Sequence, residues 1–219
     1  MQIIAEFITS ATNARDFPRD RLPEIALVGR SNVGKSSLIN ALVRRPLART
    51  SAEPGKTRLV NVYRVQRGSS EPRYLVDLPG YGYAAVTGEM RRHWGQLVEA
   101  YFQSRRSLRG VIVVMDIRHP MTSHDQDMLG LAQGRDVPVH VLLTKADKLG
   151  RGAIQQTTAA VRRELGAAVG VHPFSAHSGL GVIEARGRLD AWLAGRQRAE
   201  KRMPEKETPA GPAEPAGED

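Results

Sequence analysis

Apolar positions along the chain follow two alternating rhythms. Ile25-Ala26-Leu27-Val28 and Val111-Ile112-Val113-Val114-Met115 are continuous apolar runs, the pattern of strands covered on both faces, and Val137 to Leu143 is another buried strand. Val169 to Phe174 is a further strand. Between these runs the apolar residues recur at helical spacing. Leu38, Ile39, Ala41 and Leu42 mark a helix to about Val43, and Glu89 to Phe102 places Met90, Trp94, Leu97, Val98 and Tyr101 on one stripe. Further helices are expected over Met121 to Gln133, through Ile154, Val161 and Leu165, and from about Leu180 to Ala194 with Val182, Ala185, Leu189 and Trp192 on one side.

Arg58 to Arg67 behaves differently. There Leu59, Asn61, Tyr63 and Val65 alternate with Val60, Val62 and Arg64, and the turn Gly68 to Pro72 leads into Tyr74-Leu75-Val76. Two strands joined so closely pair antiparallel. The expected fold is therefore α/β: a three-layer sandwich on a mostly parallel, six-stranded sheet with one antiparallel strand. Residues 24–196 form this domain. Residues 1–23 are a lead-in with a short strand over Ile3 to Ile8, and 197–219 are an acidic, Pro/Ala-rich tail with almost nothing to bury, expected to be disordered.

The segment joining the first buried strand to its helix reads Gly29-Arg30-Ser31-Asn32-Val33-Gly34-Lys35-Ser36. It fits G-x-x-x-x-G-K-[ST] in the strand–loop–helix context that phosphate-binding loops require. Its backbone N–H groups and the helix N-terminus would cradle phosphates, Lys35 would reach the β- and γ-phosphates, and the Ser36 hydroxyl would hold Mg²⁺.

Composition narrows the picture little. Hydrophobic residues make up 41% and charged residues 25%, ordinary values for a globular protein. No apolar run is long enough to span a bilayer, the first residues lack the features of a secretory leader, and the chain has no cysteine, so a cytoplasmic protein without membrane association is expected. Charge says more. The net charge is +9, yet the six acids beyond residue 199 hide a body of 29 basic and 17 acidic residues. Such a body is drawn to polyanions. Charge alone does not separate a nucleic-acid partner from a well-solvated arginine-rich surface.

Further candidate groups follow the other strands. Asp77-Leu78-Pro79-Gly80 offers a carboxylate for Mg²⁺ through a bound water and a Gly80 N–H for the γ-phosphate. Thr57, in Pro54-Gly55-Lys56-Thr57-Arg58-Leu59, offers a hydroxyl to complete the Mg²⁺ shell with GTP. In Thr144-Lys145-Ala146-Asp147, the Asp147 carboxylate accepts from guanine N1–H and its exocyclic amine. Adenine would leave that carboxylate unpaired, which argues against an ATP-type module. The Lys145 stem lies along the purine. Thr144 stands where asparagine is more usual and brings a hydroxyl to brace the loop. The backbone of Phe174-Ser175-Ala176 is placed to touch the base carbonyl. His119, His124, His140 and His172 lack metal spacing, and Arg44-Arg45 and Arg105-Arg106 read as solvated pairs. Arg91 and Arg92 face outward as candidates for RNA contact, with Trp94 in the core.

The wording of these motifs, from Gly29-Arg30-Ser31-Asn32-Val33-Gly34-Lys35-Ser36-Ser37-Leu38-Ile39-Asn40 through Pro-Gly-Lys-Thr, Asp-Leu-Pro-Gly-Tyr-Gly-Tyr-Ala and Asp116-Ile117-Arg118-His119-Pro120, resembles the EngB (YihA/YsxC) family of translation-factor-related GTPases, from about Ala5 to Leu193. The resemblance implies a P-loop GTPase that cycles between GTP and GDP, binds and helps mature the large ribosomal subunit and its rRNA, and is needed for normal division and septation. It also implies that Gly55 to Leu59 closes around the nucleotide. The competing reading is a GTP-gated switch acting on a non-ribosomal division partner. Oligomeric state is not legible.

Lys35, Thr57, Gly80 and Asn32 are the expected catalytic residues. The glutamine that often follows D-x-x-G to orient the attacking water is replaced by Tyr81, so unstimulated hydrolysis is expected at about 10⁻³ s⁻¹ or below. Asn32 resembles the loop asparagine of GTPases in which K⁺ takes the place of an arginine finger. GTP turnover should then be faster in potassium than in sodium at equal ionic strength; equal steady-state rates would remove K⁺ from the mechanism.

Overall fold

The computed structural model describes residues 3–48, 59–80, 88–134 and 137–193. Its strands are β1 (Ile3–Ala11), β2 (Glu24–Gly29), β3 (Val60–Arg67), β4 (Arg73–Asp77), β5 (Leu108–Asp116), β6 (Val139–Thr144) and β7 (Gly170–Pro173). Its helices are α1 (Lys35–Val43), α2 (Gly88–Ser104), α3 (Ser123–Gln133), α4 (Arg151–Leu165) and α5 (Val182–Leu193). The strands form one sheet in the order β1-β3-β4-β2-β5-β6-β7. The ladders from β4 to β7 are parallel, and β3 runs antiparallel to both its neighbours.

The sheet has seven strands where six were expected. The seventh is β1, which the reading of the sequence placed in a lead-in and ended at Ile8; it pairs with β3 from Ile3 to Ala11, with an irregularity between Phe7 and Thr9. Its side chains hid this role. Ala5 and Ala11 are the buried positions, whereas the larger Ile4, Phe7 and Ile8 are exposed, so no alternation of large apolar residues announces a half-buried strand.

The central strands bury both faces, as their continuous apolar runs require. Ala26 and Val28 of β2 join Val111, Val113 and Met115 of β5 under α2, α3 and α4. Ile25 and Leu27 join Ile112 and Val114 under α1 and α5, with Leu38, Ile39, Leu189 and Trp192. Arg186 of α5 clamps the end of α1, donating from Nε to the Leu42 carbonyl (3.0 Å) and from Nη2 to the Ala41 carbonyl (2.5 Å). A guanidinium there satisfies orphan carbonyls at the negative end of the helix. No helix among the described residues is long and apolar enough to cross a membrane. Trp94 and Arg91 lie where side chains are outside the described residues, as does the tail; Arg92 is exposed.

At the amino end of β2 the sheet is locked by a buried charge. Glu24 accepts from Ser107 Oγ (2.6 Å), Tyr101 Oη (3.0 Å) and the Arg105 guanidinium, whose Nη1 also donates to the Pro18 carbonyl (2.9 Å). Arg105 also stacks over Phe17. It is thus turned inward rather than solvated as expected, because the buried Glu24 carboxylate demands a cation and Arg105 supplies it. The network ties the end of α2 and residues 17–18 to the sheet, away from the strands' carboxyl edge. Glu24→Ala should lower unfolding free energy by about 3 kcal/mol by leaving the guanidinium unpaired. The readout is a urea midpoint, with nucleotide affinity unchanged.

Candidate functional site

Parallel strands bring their carboxyl ends to one edge, so Gly29, Asp77, Asp116, Thr144 and Pro173 open onto a common rim. The loop from Gly29 to Gly34 leaves β2 and enters α1 at Lys35. Gly34 has φ 107°, a value that side chains resist, and Asn32, exposed, has φ 59°. These left-handed residues curl the backbone between a buried strand and a helix N-terminus. Val33 is buried and anchors the curl.

Lys35 is folded back over this loop. Its ammonium donates to the carbonyls of Gly29 (2.9 Å) and Arg30 (3.3 Å) and is almost inaccessible to solvent. Burial lowers its pKa, with the Asp77 carboxylate opposing that shift. Asp77, at the end of β4, is buried in turn. Burial lifts its pKa to about 6, with Lys35 pulling the other way. Its Oδ1 has no hydrogen-bond partner among the described residues. An orphaned, buried carboxylate oxygen facing an ammonium fits the chemistry of a hydrated divalent cation, whose bound water donates to it. Ser36 follows Lys35 as the second residue of α1.

After Asp77, Leu78 is buried and its N–H donates to the Leu27 carbonyl (3.0 Å). Pro79 leads to Gly80, which lies flat against the phosphate loop: a Cβ there would come within 2.7 Å of Ser31 Cα and 3.1 Å of the Lys35 ammonium. Only glycine allows D-x-x-G to approach the loop so closely, and the approach brings Gly80 beside Lys35. Gly55, Lys56, Thr57, Arg58 and Tyr81 lie outside the described residues, while Leu59 immediately precedes β3. Asn40 holds the chain as it leaves α1. Its Oδ1 accepts from the N–H groups of Leu47 (2.8 Å) and Ala48 (2.7 Å), and its Nδ2 donates to the Ala48 carbonyl (2.9 Å).

The second half of the site is built on β6 and β7. Thr144 Oγ1 is 2.6 Å from the Val33 carbonyl of the phosphate loop and 3.0 Å from that of Met115. The expected brace is present, made by the hydroxyl alone. Lys145 takes a left-handed conformation (φ 58°), and Ala146 is buried, its N–H donating to the Phe174 carbonyl (3.1 Å). Asp147 Oδ1 accepts from Ser175 Oγ (2.6 Å) and Oδ2 faces Lys148 (3.4 Å). The Ser175 hydroxyl, foremost, holds this carboxyl below its usual range, so it is ionised at neutral pH. Ser175 is fully buried and Ala176 exposed. The expectation gave Ser175 a backbone role only, and its side chain proves to orient Asp147. Distance along the chain concealed that contact.

Asp116, at the end of β5, was quoted only as motif wording. Its carboxylate receives the Arg118 guanidinium and the Lys145 ammonium. Among the described residues no group of three His, Cys, Asp or Glu is arranged to hold a metal ion. His140 and His172 form a hydrogen-bonded pair, Nε2 to Nδ1 at 2.7 Å, and burial drives the pKa of His140 to about 3.

Comparison with known proteins matches this frame. A family model described as a 50S ribosome-binding GTPase matches residues 24–145. The chain is 48% identical over 194 residues to a probable GTP-binding protein EngB of Xanthomonas oryzae pv. oryzae, covering 86% of this chain and 92% of that one. With a probable EngB of Vibrio parahaemolyticus it shares 47% over 192 residues, 86% of each. Among solved structures, Era of Aquifex aeolicus bound to GDP and aluminium fluoride superposes with a TM-score of 0.69 at 19% identity, over 78% of this chain and 57% of that one. A probable engB superposes with a TM-score of 0.59 at 19% identity, over 79% and 99%. A loop curled under a buried lysine, a D-x-x-G glycine laid against it and an aspartate braced just beyond β6 thus stand in a chain that belongs to the EngB family of GTP-binding proteins, P-loop GTPases that hydrolyse GTP.

Proposed function

We propose that this GTPase is an assembly factor for the large ribosomal subunit, binding pre-ribosomal rRNA in its GTP state and leaving after hydrolysis. The observation that carries the reading is the joining of a guanine-nucleotide site to a body with 29 basic and 17 acidic residues before residue 200. The description of the matching family model, a 50S ribosome-binding GTPase, supports it, as does the structure of the related fold of Era with a segment of 16S ribosomal RNA. Work on ribosomal subunits places the protein in the cytoplasm, and a defect in growth and septation would follow from subunit shortage.

In this reading, the N–H groups of residues 29–36 receive the phosphates, and Lys35 exchanges its contacts with the Gly29 and Arg30 carbonyls for phosphate oxygens. Ser36 and Thr57, with Asp77 through water, would hold Mg²⁺, which would supply positive charge against that developing on the phosphates. Gly80 donates its N–H toward the γ-phosphate. Asp147, fixed by Ser175, accepts from guanine, and Thr144 keeps the base and phosphate halves in register. Asn32, exposed at the loop's left-handed turn, is the residue available to an activating K⁺. With Tyr81 in place of a glutamine, no side chain of the D-x-x-G segment supplies the usual water-orienting amide, so turnover stays slow until the ribosomal partner or the cation completes the site.

The buried carboxylate gives a pH test. Without nucleotide, Asp77 is raised from an ordinary 3.8 to about 6, so its protonation stabilises the fold fully below pH 3.8 and that contribution is lost as pH rises through 6. Magnesium needs the ionised form. Mg²⁺-dependent GDP binding should therefore weaken as pH falls through about 6, and Asp77→Asn should raise the nucleotide-free melting temperature at pH 7.5 but not at pH 4. Equal magnesium dependence at pH 5.5 and 8 by titration calorimetry would contradict this.

The ribosomal role is tested by sedimenting the protein with purified large subunits. Co-migration is expected with a non-hydrolysable GTP analogue and its loss with GDP. Protein that stays at the top of the gradient with both nucleotides overturns the proposal.

A further inference from the structure

Lys145 poses a physical problem that its own loop does not solve. It is a non-glycine residue at φ 58°, a conformation L residues avoid, and it carries a long flexible stem. A lysine that must lie along a purine face loses affinity if it has to be ordered anew at each binding event. Something outside the T-K-x-D segment must hold it.

The group in place is Asp116. It closes β5 directly opposite Thr144 in the β5–β6 ladder, and its Oδ2 is 2.9 Å from Lys145 Nζ. The carboxylate is itself immobilised. Arg118 grips it with a two-pronged fork, Nε to Oδ1 at 2.9 Å and Nη2 to Oδ2 at 2.6 Å, while the Arg118 backbone N–H donates to Oδ1 at 3.1 Å. Ion pairs at open surfaces contribute little. This one differs, because the Asp116 side chain is only 15% exposed, shares two cations and follows the buried run Gly110 to Met115 of β5. Burial alone would raise its pKa, but the hydrogen bonds from Arg118 and Lys145 outweigh burial and hold it well below the usual carboxylate range. It is therefore charged whenever the protein is folded near neutral pH.

We propose that Asp116 is a positioning residue of the base pocket: locked by the Arg118 fork, it holds the Lys145 ammonium so that the lysine stem is already set along the purine face when the nucleotide arrives. The inference rests on the assignment of Lys145 and Asp147 to the guanine. It adds two residues from a different strand to that site, and it gives the Asp116-Ile117-Arg118 wording a task. Arg118 acts through Asp116 and not on the nucleotide.

The test is a pair of double-mutant cycles read by the release rate and Kd of a fluorescent GDP analogue, using the full chain. Asp116→Asn should speed release about tenfold, since it leaves a cation unpaired. In the Lys145→Met background the same substitution should have no further effect, because the group it positions is gone. Arg118→Ala, at a side chain exposed enough to fold in any case, should speed release about threefold, again only when Lys145 is present. A melting temperature of nucleotide-free Asp116→Asn close to wild type would separate positioning from general stability. Unchanged release in Asp116→Asn, or additive effects with Lys145→Met, overturns the inference while leaving the guanine site standing. If Asp116→Asn does not fold, the Arg118 cycle decides alone: an effect that persists without Lys145 refutes positioning through Asp116. Failure of the wild-type protein to hold GDP would overturn the base-pocket reading and this inference together.

Discussion

A buried ammonium facing a buried carboxylate is the constraint around which this site is arranged. Among the described residues Lys35 donates only to loop carbonyls, and Asp77 Oδ1 finds no donor. Neither situation is favourable in a dry interior, where an incompletely paired charge costs several kcal/mol. In the proposed cycle, phosphate and a hydrated magnesium ion would remove both deficits at once, one by accepting from Lys35 and the other by donating to Asp77. On that proposal the frustration of the nucleotide-free site would be part of its affinity. It also explains why the loop needs Gly34 at a left-handed angle and why Gly80 must carry no side chain: both permit backbone to crowd around the lysine.

That arrangement would be of little use if the phosphate and base halves moved independently. The Thr144 hydroxyl prevents this. It belongs to β6 yet sits 2.6 Å from the Val33 carbonyl, spanning β5 between them and touching the Met115 carbonyl on the way. Asparagine at this position would offer both a donor and an acceptor. Threonine supplies one proton, and it suffices because β2, β5 and β6 are adjacent and buried where they approach this contact, so the backbone already fixes the distance.

The placement of these segments was legible from sequence because each motif is local. Gly29 to Ser36, Asp77 to Gly80 and Thr144 to Asp147 are contiguous stretches, and the period of the apolar positions places each at a strand end. What escaped was non-local or masked by small side chains. Ser175 and Asp147 are 28 residues apart, and nothing in Phe-Ser-Ala signals that the hydroxyl points at the carboxylate. Glu24 and Arg105 are 81 apart, so Arg105 read as half of a solvated pair. β1 was set apart as a lead-in because its buried positions are alanines and its large residues are exposed. The antiparallel turn from β3 to β4, by contrast, was clear, since a short turn leaves no other geometry.

The base pocket shows the same logic carried one strand further. Asp116 and Thr144 are register partners at the ends of β5 and β6, and each turns its side chain to a different problem. Thr144 reaches back to the phosphate loop, while Asp116 reaches forward to Lys145, the residue after Thr144. A shift of that ladder by one residue would disable both contacts together, because successive side chains in a strand face opposite ways. The buried runs Val111 to Met115 and Val139 to Leu143 are what make such a shift expensive, since they bury every intervening side chain. Core packing thereby sets the position of Lys145. On the proposed assignment of Lys145 and Asp147 to the base, recognition of guanine would depend on strand register as directly as on the carboxylate of Asp147.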